Sequence, residues 1–220
     1  MKEILISKEF RSKWAGMKLA CLECSVEVVP FHPKLWQTIG DETLKMRSTL
    51  KVEQISQHPA ISSSRKGYKA FGKDPARYRL SAEALMRRMV KGNELYQINN
   101  VVDIVNLASF TSGFSIGGYD IEKVGGTIEL GIGREDEAYE GLGRGILNID
   151  CLPVLRDTIG PFGSPTSDSP RTAVTESTFR FLMVYFGFGA HDLLPEALQK
   201  AQQLLTDLAK ADRFETWFVE

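Results

Sequence analysis

Apolar residues in the first half of the chain recur every three to four positions, which is typical of helices that bury one face. The spacing predicts helices over residues 7–14, 33–55, 59–71, 81–90 and 99–110, the second of them interrupted at Gly40-Asp41. Residues 17–29 instead alternate between apolar and polar side chains, which predicts a strand that ends at Pro30.

The second half of the chain is richer in glycine, and its short β-branched and aromatic runs indicate strands. These strands are expected over residues 114–119, 127–132, 145–149, 154–157 and 178–188, with a polar loop over 160–170 and a final amphipathic helix over 193–213. Helices followed by strands predict an α+β fold. Because no segment reads as a linker, we expect residues 1–220 to form a single domain.

The helix over residues 99–110 contains one residue that its apolar pattern does not explain. Asn99 or Asn100 is a suitable N-cap, and Asp103 lies early in the helix, where the helix dipole favours a carboxylate. Asn106 places an amide in an otherwise apolar helix, and a buried amide must find hydrogen-bond partners. It is therefore either bonded to nearby backbone or directed into a pocket where a ligand meets it.

Two glycine-containing segments could line such a pocket. The loop over 160–172 combines hydroxyl, carboxylate and guanidinium groups, and it either binds an anionic or carbonyl-bearing ligand or hydrogen-bonds its own backbone. Its candidate residues are Gly163, Ser164, Thr166, Ser167, Asp168 and Arg171. In the segment Gly117-Gly118-Tyr119, the glycines allow close backbone approach or a strand bulge, and the tyrosine could cover a pocket.

The formal net charge of −1 excludes a general attraction to nucleic acid, so any nucleic-acid binding must use a local patch. Residues 65–91 are such a candidate, because basic side chains alternate with Tyr68, Phe71 and Tyr78, which could stack on unpaired bases. The alternative is a solvated helix face that is balanced by acidic residues elsewhere. The candidate basic residues are Lys73, Arg77, Arg79, Arg87, Arg88 and Lys91.

Several other kinds of chemistry have no support. Cys21 and Cys24 lie three apart in a predicted strand and so face opposite sides, and the three histidines stand apart, so no metal site is expected. The glycines of residues 141–145 lack the ending of a phosphate-binding loop, and no nucleophile elbow occurs. No signal peptide or membrane span is recognisable, which predicts a cytoplasmic protein without a membrane partner. No cofactor is expected either.

Residues 98–106, which read INNVVDIVN, and the following Gly117-Gly118-Tyr119-Asp120 resemble the tRNA-binding and editing domain of the phenylalanyl-tRNA synthetase beta chain. The segment Asp74-Pro75-Ala76-Arg77-Tyr78-Arg79 also looks like a feature of that family, and the resemblance is strongest over residues 74–172. It implies a layered β-β-α sandwich-like domain, with a helical N-terminal half and glycine-rich strands in the C-terminal half. Since the rest of the synthetase is missing, we expect a free-standing version of this domain.

In that family the domain hydrolyses the ester that joins a wrong amino acid to tRNA, using a Thr-Asn pair, a His and a Glu. Asn106 matches the Asn, whereas the Thr position is Val105 and the His position is Gly117. The Glu position falls near Met183 and Val184. Three of the four polar groups are therefore missing.

The resemblance thus implies a tRNA- or aminoacyl-tRNA-binding protein, with the basic residues of 73–91 facing the tRNA. The alternative is a free-standing hydrolase of mischarged aminoacyl-tRNA, and a further one is a binding domain for an amino-acid-like small molecule. For hydrolysis, the candidate catalytic residues are Asn106, Ser164, Thr166 and Asp168. No DNA partner is expected, and a partner synthetase is possible without being indicated.

Overall fold

The computed structural model describes residues 1–220 as helices packed on two sheets. The six α-helices are α1 (Lys8–Lys13), α2 (Pro33–Thr49), α3 (Pro59–Ala70), α4 (Ser81–Val90), α5 (Asn100–Ser112) and α6 (Leu194–Ala209). None of them combines the length and the apolar composition that crossing a bilayer would demand.

The ten strands form two four-stranded sheets and one hairpin. The first five strands are β1 (Ile4–Ile6), β2 (Lys18–Ser25), β3 (Ile116–Asp120), β4 (Ile128–Ile132) and β5 (Ala138–Gly141). The remaining strands are β6 (Gly145–Asn148), β7 (Pro153–Arg156), β8 (Pro161–Gly163), β9 (Arg180–Gly187) and β10 (Asp212–Val219). The central sheet is antiparallel in the order β10-β2-β9-β3, the outer sheet has the order β1-β4-β7-β8, and β5 and β6 form the hairpin.

The central sheet is buried on both faces, and each face builds one core. Alternate residues of β2 and β9, such as Leu22 and Met183, pack against α2, α5 and α6. The intervening residues, such as Leu19 and Val184, pack against the outer sheet. The predicted α+β fold with its layered β-β-α order is therefore confirmed.

Cys21 and Cys24 belong to different cores, because residues three apart in a strand point to opposite faces. Burial in these cores raises the pKa of both thiols, that of Cys24 to about 12. Both groups therefore stay protonated and behave as small apolar side chains at neutral pH.

The structure differs most from the sequence prediction at the end of the chain. The helix expected over 193–213 ends at Ala209, and β10 follows it as an edge strand of the central sheet. Most residues of β10 are exposed or half-buried, so its pattern carries little hydrophobic signal. In addition, β8 lies within the expected loop, and α2 continues through Gly40-Asp41, since both residues face solvent.

Helix α5 is held firmly between the central sheet and the other helices. Asn99 is the N-cap, and its side chain accepts a hydrogen bond of 2.9 Å from the amide of Val102. Asp103 accepts from the indole of Trp36 on α2 and from the amide of Ile98. At its other end the helix stops at Gly113, whose left-handed φ of 76° suits glycine. The result is a fixed support for the side chains on its exposed face.

Candidate functional site

A cavity of about 780 Å³ lies beside α5, a volume within the range of small-molecule sites. Helices α4 and α5 and strand β3 contribute one part of its lining, and the turn between β5 and β6 and residues 166–168 contribute another. Apolar side chains make up about half of the lining, among them Leu85, Val102, Val105, Ile116 and Val174. The cavity therefore offers an apolar surface with a small number of polar groups.

Helix α5 contributes two polar residues to this cavity, Asn106 and Ser109, and the Ser109 hydroxyl already donates to the carbonyl of Phe114. The side chain of Asn106 takes part in none of the side-chain hydrogen bonds of the protein, in contrast to Asn99 and Asn100, whose amides are bonded to backbone. Because an amide carries two donors and one acceptor, Asn106 is free to bind a ligand that enters the cavity.

Three tyrosines hold the polar loop that lines the cavity. The hydroxyl of Tyr68 lies 2.9 Å from Thr166 Oγ1, and that of Tyr139 donates to Ser164 Oγ at 3.0 Å. Tyr119 donates to Asp168 Oδ1 at 2.8 Å. All three rings are buried, and this burial raises the pKa of each hydroxyl, so they remain donors at neutral pH. The loop is therefore preorganised by groups from three distant parts of the chain.

Asp168 is the one carboxylate that lines the cavity. It accepts a hydrogen bond from Tyr119, and this bond and the nearby backbone amides of Gly118 and Ser164 lower its pKa. Burial has the larger, opposite effect and raises the pKa of this carboxyl to about 7. Asp168 can therefore exchange a proton with a ligand near neutral pH, as a general acid or base must.

This shift makes stability depend on pH. Since the pKa of Asp168 is about 7 in the folded protein and near 3.9 in an unfolded chain, the folded state holds more protons between these values. The stabilisation that comes from protonating Asp168 in the folded protein is therefore fully present below pH ~4 and is lost as the pH rises through ~7. Relative to Asp168→Asn, the unfolding free energy of the wild type is expected to fall by roughly 2–4 kcal/mol from pH 4 to 8. Urea unfolding of both proteins at several pH values measures this difference. If the unfolding free energies of the wild type and Asp168→Asn change equally with pH, the prediction is wrong.

The charged residues of the cavity are otherwise arginines. Arg88 of α4 stacks on the exposed ring of Tyr96, with its guanidinium carbon 4.2 Å from the ring centroid. Arg144 is exposed in the turn between β5 and β6. Neither arginine belongs to an ion pair, whereas Arg87 and Arg65 both bind the buried Glu83. Arg88 donates to the carbonyl of Glu94 and to the hydroxyl of Tyr96, but no carboxylate neutralises its charge or that of Arg144. Both charges can therefore attract an anionic ligand, whereas Arg87 is neutralised within the fold.

A smaller hollow of about 240 Å³ adjoins the cavity and shares Arg144 and Thr166 with it. Arg77, Tyr78 and Ser164 line this hollow. Lys73 lies beside it, 5.0 Å from the ring centroid of Tyr78 and 3.5 Å from an oxygen of Asp150.

Several residues that the sequence suggested for the site lie outside the cavity. Arg171 is bound by two hydrogen bonds to Asp157 and supports the outer sheet. Tyr119 is fully buried and supports Asp168 instead of covering the ligand. A Cβ at Gly117 or Gly163 would lie 2.0 or 2.2 Å from the Tyr119 hydroxyl, so these glycines leave room for that ring.

The remaining suggested residues divide between the two hollows. The cavity is lined by Gly118, Ser167 and Asp168, the smaller hollow is lined by Ser164, and Thr166 lines both. Arg79 and Lys91 are exposed and line neither of them.

Arg144 and Tyr96 line the cavity but are not among the residues that the sequence suggested. Arg144 lies between Gly143 and Gly145, two glycines with left-handed φ values of 65° and 68°. Glycines on both sides of a residue are typical of a tight turn, so this pattern was the available signal for an exposed arginine at its tip. For Tyr96, which follows α4 in an irregular segment, no local pattern pointed to the cavity.

The positions that the sequence resemblance aligned with the editing pocket carry apolar residues or glycine in this chain, apart from Asn106. Val105 lines the cavity, so an apolar side chain replaces a hydroxyl there. Gly117 pairs with Val184, and Gly118 pairs with Met183, across β3 and β9. Both β9 side chains are fully buried in the cores, so neither reaches the cavity.

The polar loop and the largely apolar helix α5 thus line the same cavity. The family model of the B3/4 domain matches residues 63–210, and the chain belongs to this family. The resemblance to the phenylalanyl-tRNA synthetase beta chain that the sequence indicated is thereby confirmed.

One solved structure similar to this chain is an N-terminal fragment of the phenylalanyl-tRNA synthetase beta-subunit from Pyrococcus horikoshii. The match has 12% sequence identity and a TM-score of 0.47, and it covers 99% of this chain and 50% of that fragment. Among curated proteins, none matches the sequence.

Proposed function

We propose that this protein binds the aminoacylated 3′ end of a tRNA in the cavity beside α5. The observation that carries the proposal is the free amide of Asn106, which shares the cavity with the hydroxyl and carboxyl groups of Ser167 and Asp168. An amide can donate to the ester carbonyl of the bound amino acid and accept from its amino group. The apolar lining, which includes Val105, suits an uncharged amino-acid side chain.

The charges around the cavity support an RNA ligand. The chain as a whole has a net charge of −1, so binding depends on the local arrangement of basic residues. Arg88 and Arg144 have no acidic partner and can reach phosphates, and the exposed ring of Tyr96 can stack on a base. Burial of Asp168, which raises its pKa to about 7, reduces the negative charge that would repel RNA.

An electrophoretic shift with tRNA across a salt series tests this function. With about two phosphates neutralised by Arg88 and Arg144, we expect the logarithm of the affinity to fall with the logarithm of the salt concentration at a slope near −1.4, or about −0.7 per phosphate. Arg88→Ala is expected to make the slope shallower by about 0.7. The control Arg134→Ala removes an exposed arginine outside both hollows and should leave the slope unchanged. If tRNA does not bind even at low salt, the proposal is wrong. If only a free amino acid binds, a small-molecule-binding function is favoured instead.

Hydrolysis of the aminoacyl ester is the second candidate, and the raised pKa of Asp168 favours it. In this reaction the Asp168 carboxylate would take a proton from a water molecule that attacks the ester carbonyl. The ester C–O bond breaks, the proton held by Asp168 passes to the leaving 3′ oxygen, and the products are a free amino acid and a tRNA with a 3′ hydroxyl. The amide of Asn106 would bind the carbonyl oxygen as negative charge develops on it.

A deacylation assay with a panel of charged tRNAs distinguishes binding from hydrolysis. If Asp168 is the base, the rate rises with pH up to about 7, as its carboxyl loses a proton. Asp168→Asn would then abolish the rate while leaving tRNA bound. If no charged tRNA loses its amino acid faster than in buffer, the protein binds without catalysis.

A further inference from the structure

The smaller hollow beside the cavity has a surface that the proposed function leaves unexplained. Because the two hollows share Arg144 and Thr166, a chain-like ligand that fills the cavity can continue directly into its neighbour. The cavity takes the end of such a ligand in the proposed function, and the hollow lies where the next unit would follow.

The lining of this hollow combines an aromatic ring, cations and an apolar floor. Arg77 lies with its guanidinium carbon 5.7 Å from the ring centroid of Tyr78. No carboxylate lines the hollow, and neither Arg77 nor Arg144 belongs to an ion pair. The apolar residues of the lining are Ile146, Leu147, Ile149 and Leu152.

Such a surface matches a nucleotide better than it matches a simple anion. A planar base can stack on Tyr78 or lie on the apolar floor, while its phosphate lies beside the arginines. Asn148 adds an amide: its oxygen accepts from the Asp150 backbone at 2.9 Å, and its nitrogen makes no hydrogen bond within the chain. That nitrogen is free to donate to the edge of a base. An inorganic phosphate would use the arginines and leave the ring, the amide and the floor without a partner.

We propose that the hollow is a subsite for the nucleotide that precedes the terminal adenosine in the single-stranded 3′ end of tRNA. This inference rests on the proposed function, since it assigns the terminal adenosine and its amino acid to the cavity. Arg144, which lines both hollows, contacts the phosphate between the two nucleotides.

Two synthetic probes test this assignment. The first is adenosine with an amino acid joined to its 3′ carbon by a stable amide, made with leucine, phenylalanine and tyrosine so that the best-bound amino acid can be chosen. The second is the same molecule extended at its 5′ side by cytidine through a phosphate. By titration calorimetry, we expect the second probe to bind about tenfold more tightly than the first or better, the effect of one stacked base.

The substitutions Arg77→Ala and Tyr78→Leu change the hollow without touching the lining of the cavity. Each is expected to leave binding of the adenosine probe unchanged and to reduce the gain from cytidine to about threefold or less. Arg134→Ala is the matched control, because it removes an arginine from outside both hollows and should keep the full gain.

The possible results separate this inference from the proposed function. If the adenosine probe binds and cytidine adds no affinity, the subsite is overturned while the proposed function stands. If the gain persists in both variants, the cytidine lies elsewhere and the subsite is again overturned. If neither probe binds, the proposed function and the subsite both fail.

Discussion

Replacing Asn100 by alanine is expected to lower the free energy of unfolding by about 3–5 kcal/mol, because it leaves buried backbone groups without partners. The Asn100 side chain accepts from the amide of Val29 at 2.9 Å and donates to the carbonyls of Glu27 and Leu208 at 3.0 and 2.9 Å. It therefore joins the start of α5 to the segment after β2 and to the end of α6. Urea unfolding followed by tryptophan fluorescence measures the loss.

Asn99→Ala is the matched control for this prediction. Asn99 is the N-cap of α5, and its loss is expected to cost about 1 kcal/mol, the usual effect of removing a cap. Equal losses in the two variants would contradict the account, because Asn100 would then be no more than a second helix-terminal residue.

The second large effect is expected on ligand binding. Asn106→Leu should weaken binding of the amide-linked adenosine probe by about tenfold or more, since the ligand loses a hydrogen-bond partner and leaves its own polar group unpaired. The fold should keep its stability, because Asn106 makes no side-chain hydrogen bond within the protein and leucine is a better helix former. Titration calorimetry and urea unfolding of the same sample measure the two effects.

Thr111→Ala provides the comparison on the same helix. Thr111 is exposed, and its hydroxyl bonds only to carbonyls of α5, outside the cavity. Binding of the probe should be unchanged in this variant. If Asn106→Leu also binds normally, the amide does not contact the ligand.

The two neighbouring asparagines illustrate how far the sequence could predict the fold. The pattern located α5 and offered Asn99 or Asn100 as its cap, because either amide can bond to the first turn. The structure selects Asn99 as the cap. Asn100 instead bonds to residues 71, 73 and 108 positions away in the chain, and no local pattern encodes such partners.

The candidate site was predictable in its parts and not in its assembly. Asn106 and the polar loop could each be recognised as polar groups that needed an explanation. The three tyrosines that hold the loop come from α3, β3 and β5, so their convergence depends on how the layers pack. The same packing directs Arg171 toward Asp157 and away from the cavity, although its place in the polar loop suggested a ligand contact.

Charge on the surface was harder to interpret than polarity in the interior. The basic residues of 73–91 form one run in the sequence, yet the fold uses them for different purposes. Arg87 neutralises Glu83 together with Arg65, whereas Arg88, one position later, lines the cavity. One residue step along α4 separates these roles, because adjacent residues of a helix point about 100° apart.

The proposed contact between the ligand and the side-chain amide of Asn106 is tested most directly by nuclear magnetic resonance of that side chain. In protein labelled with ¹⁵N, the side-chain NH₂ signals of Asn106 are assigned by their loss in Asn106→Leu. We predict that they shift in a saturable way as the amide-linked adenosine probe is added, while those of the exposed Asn93 stay in place. Saturable binding that leaves the Asn106 signals unmoved would contradict the proposed contact.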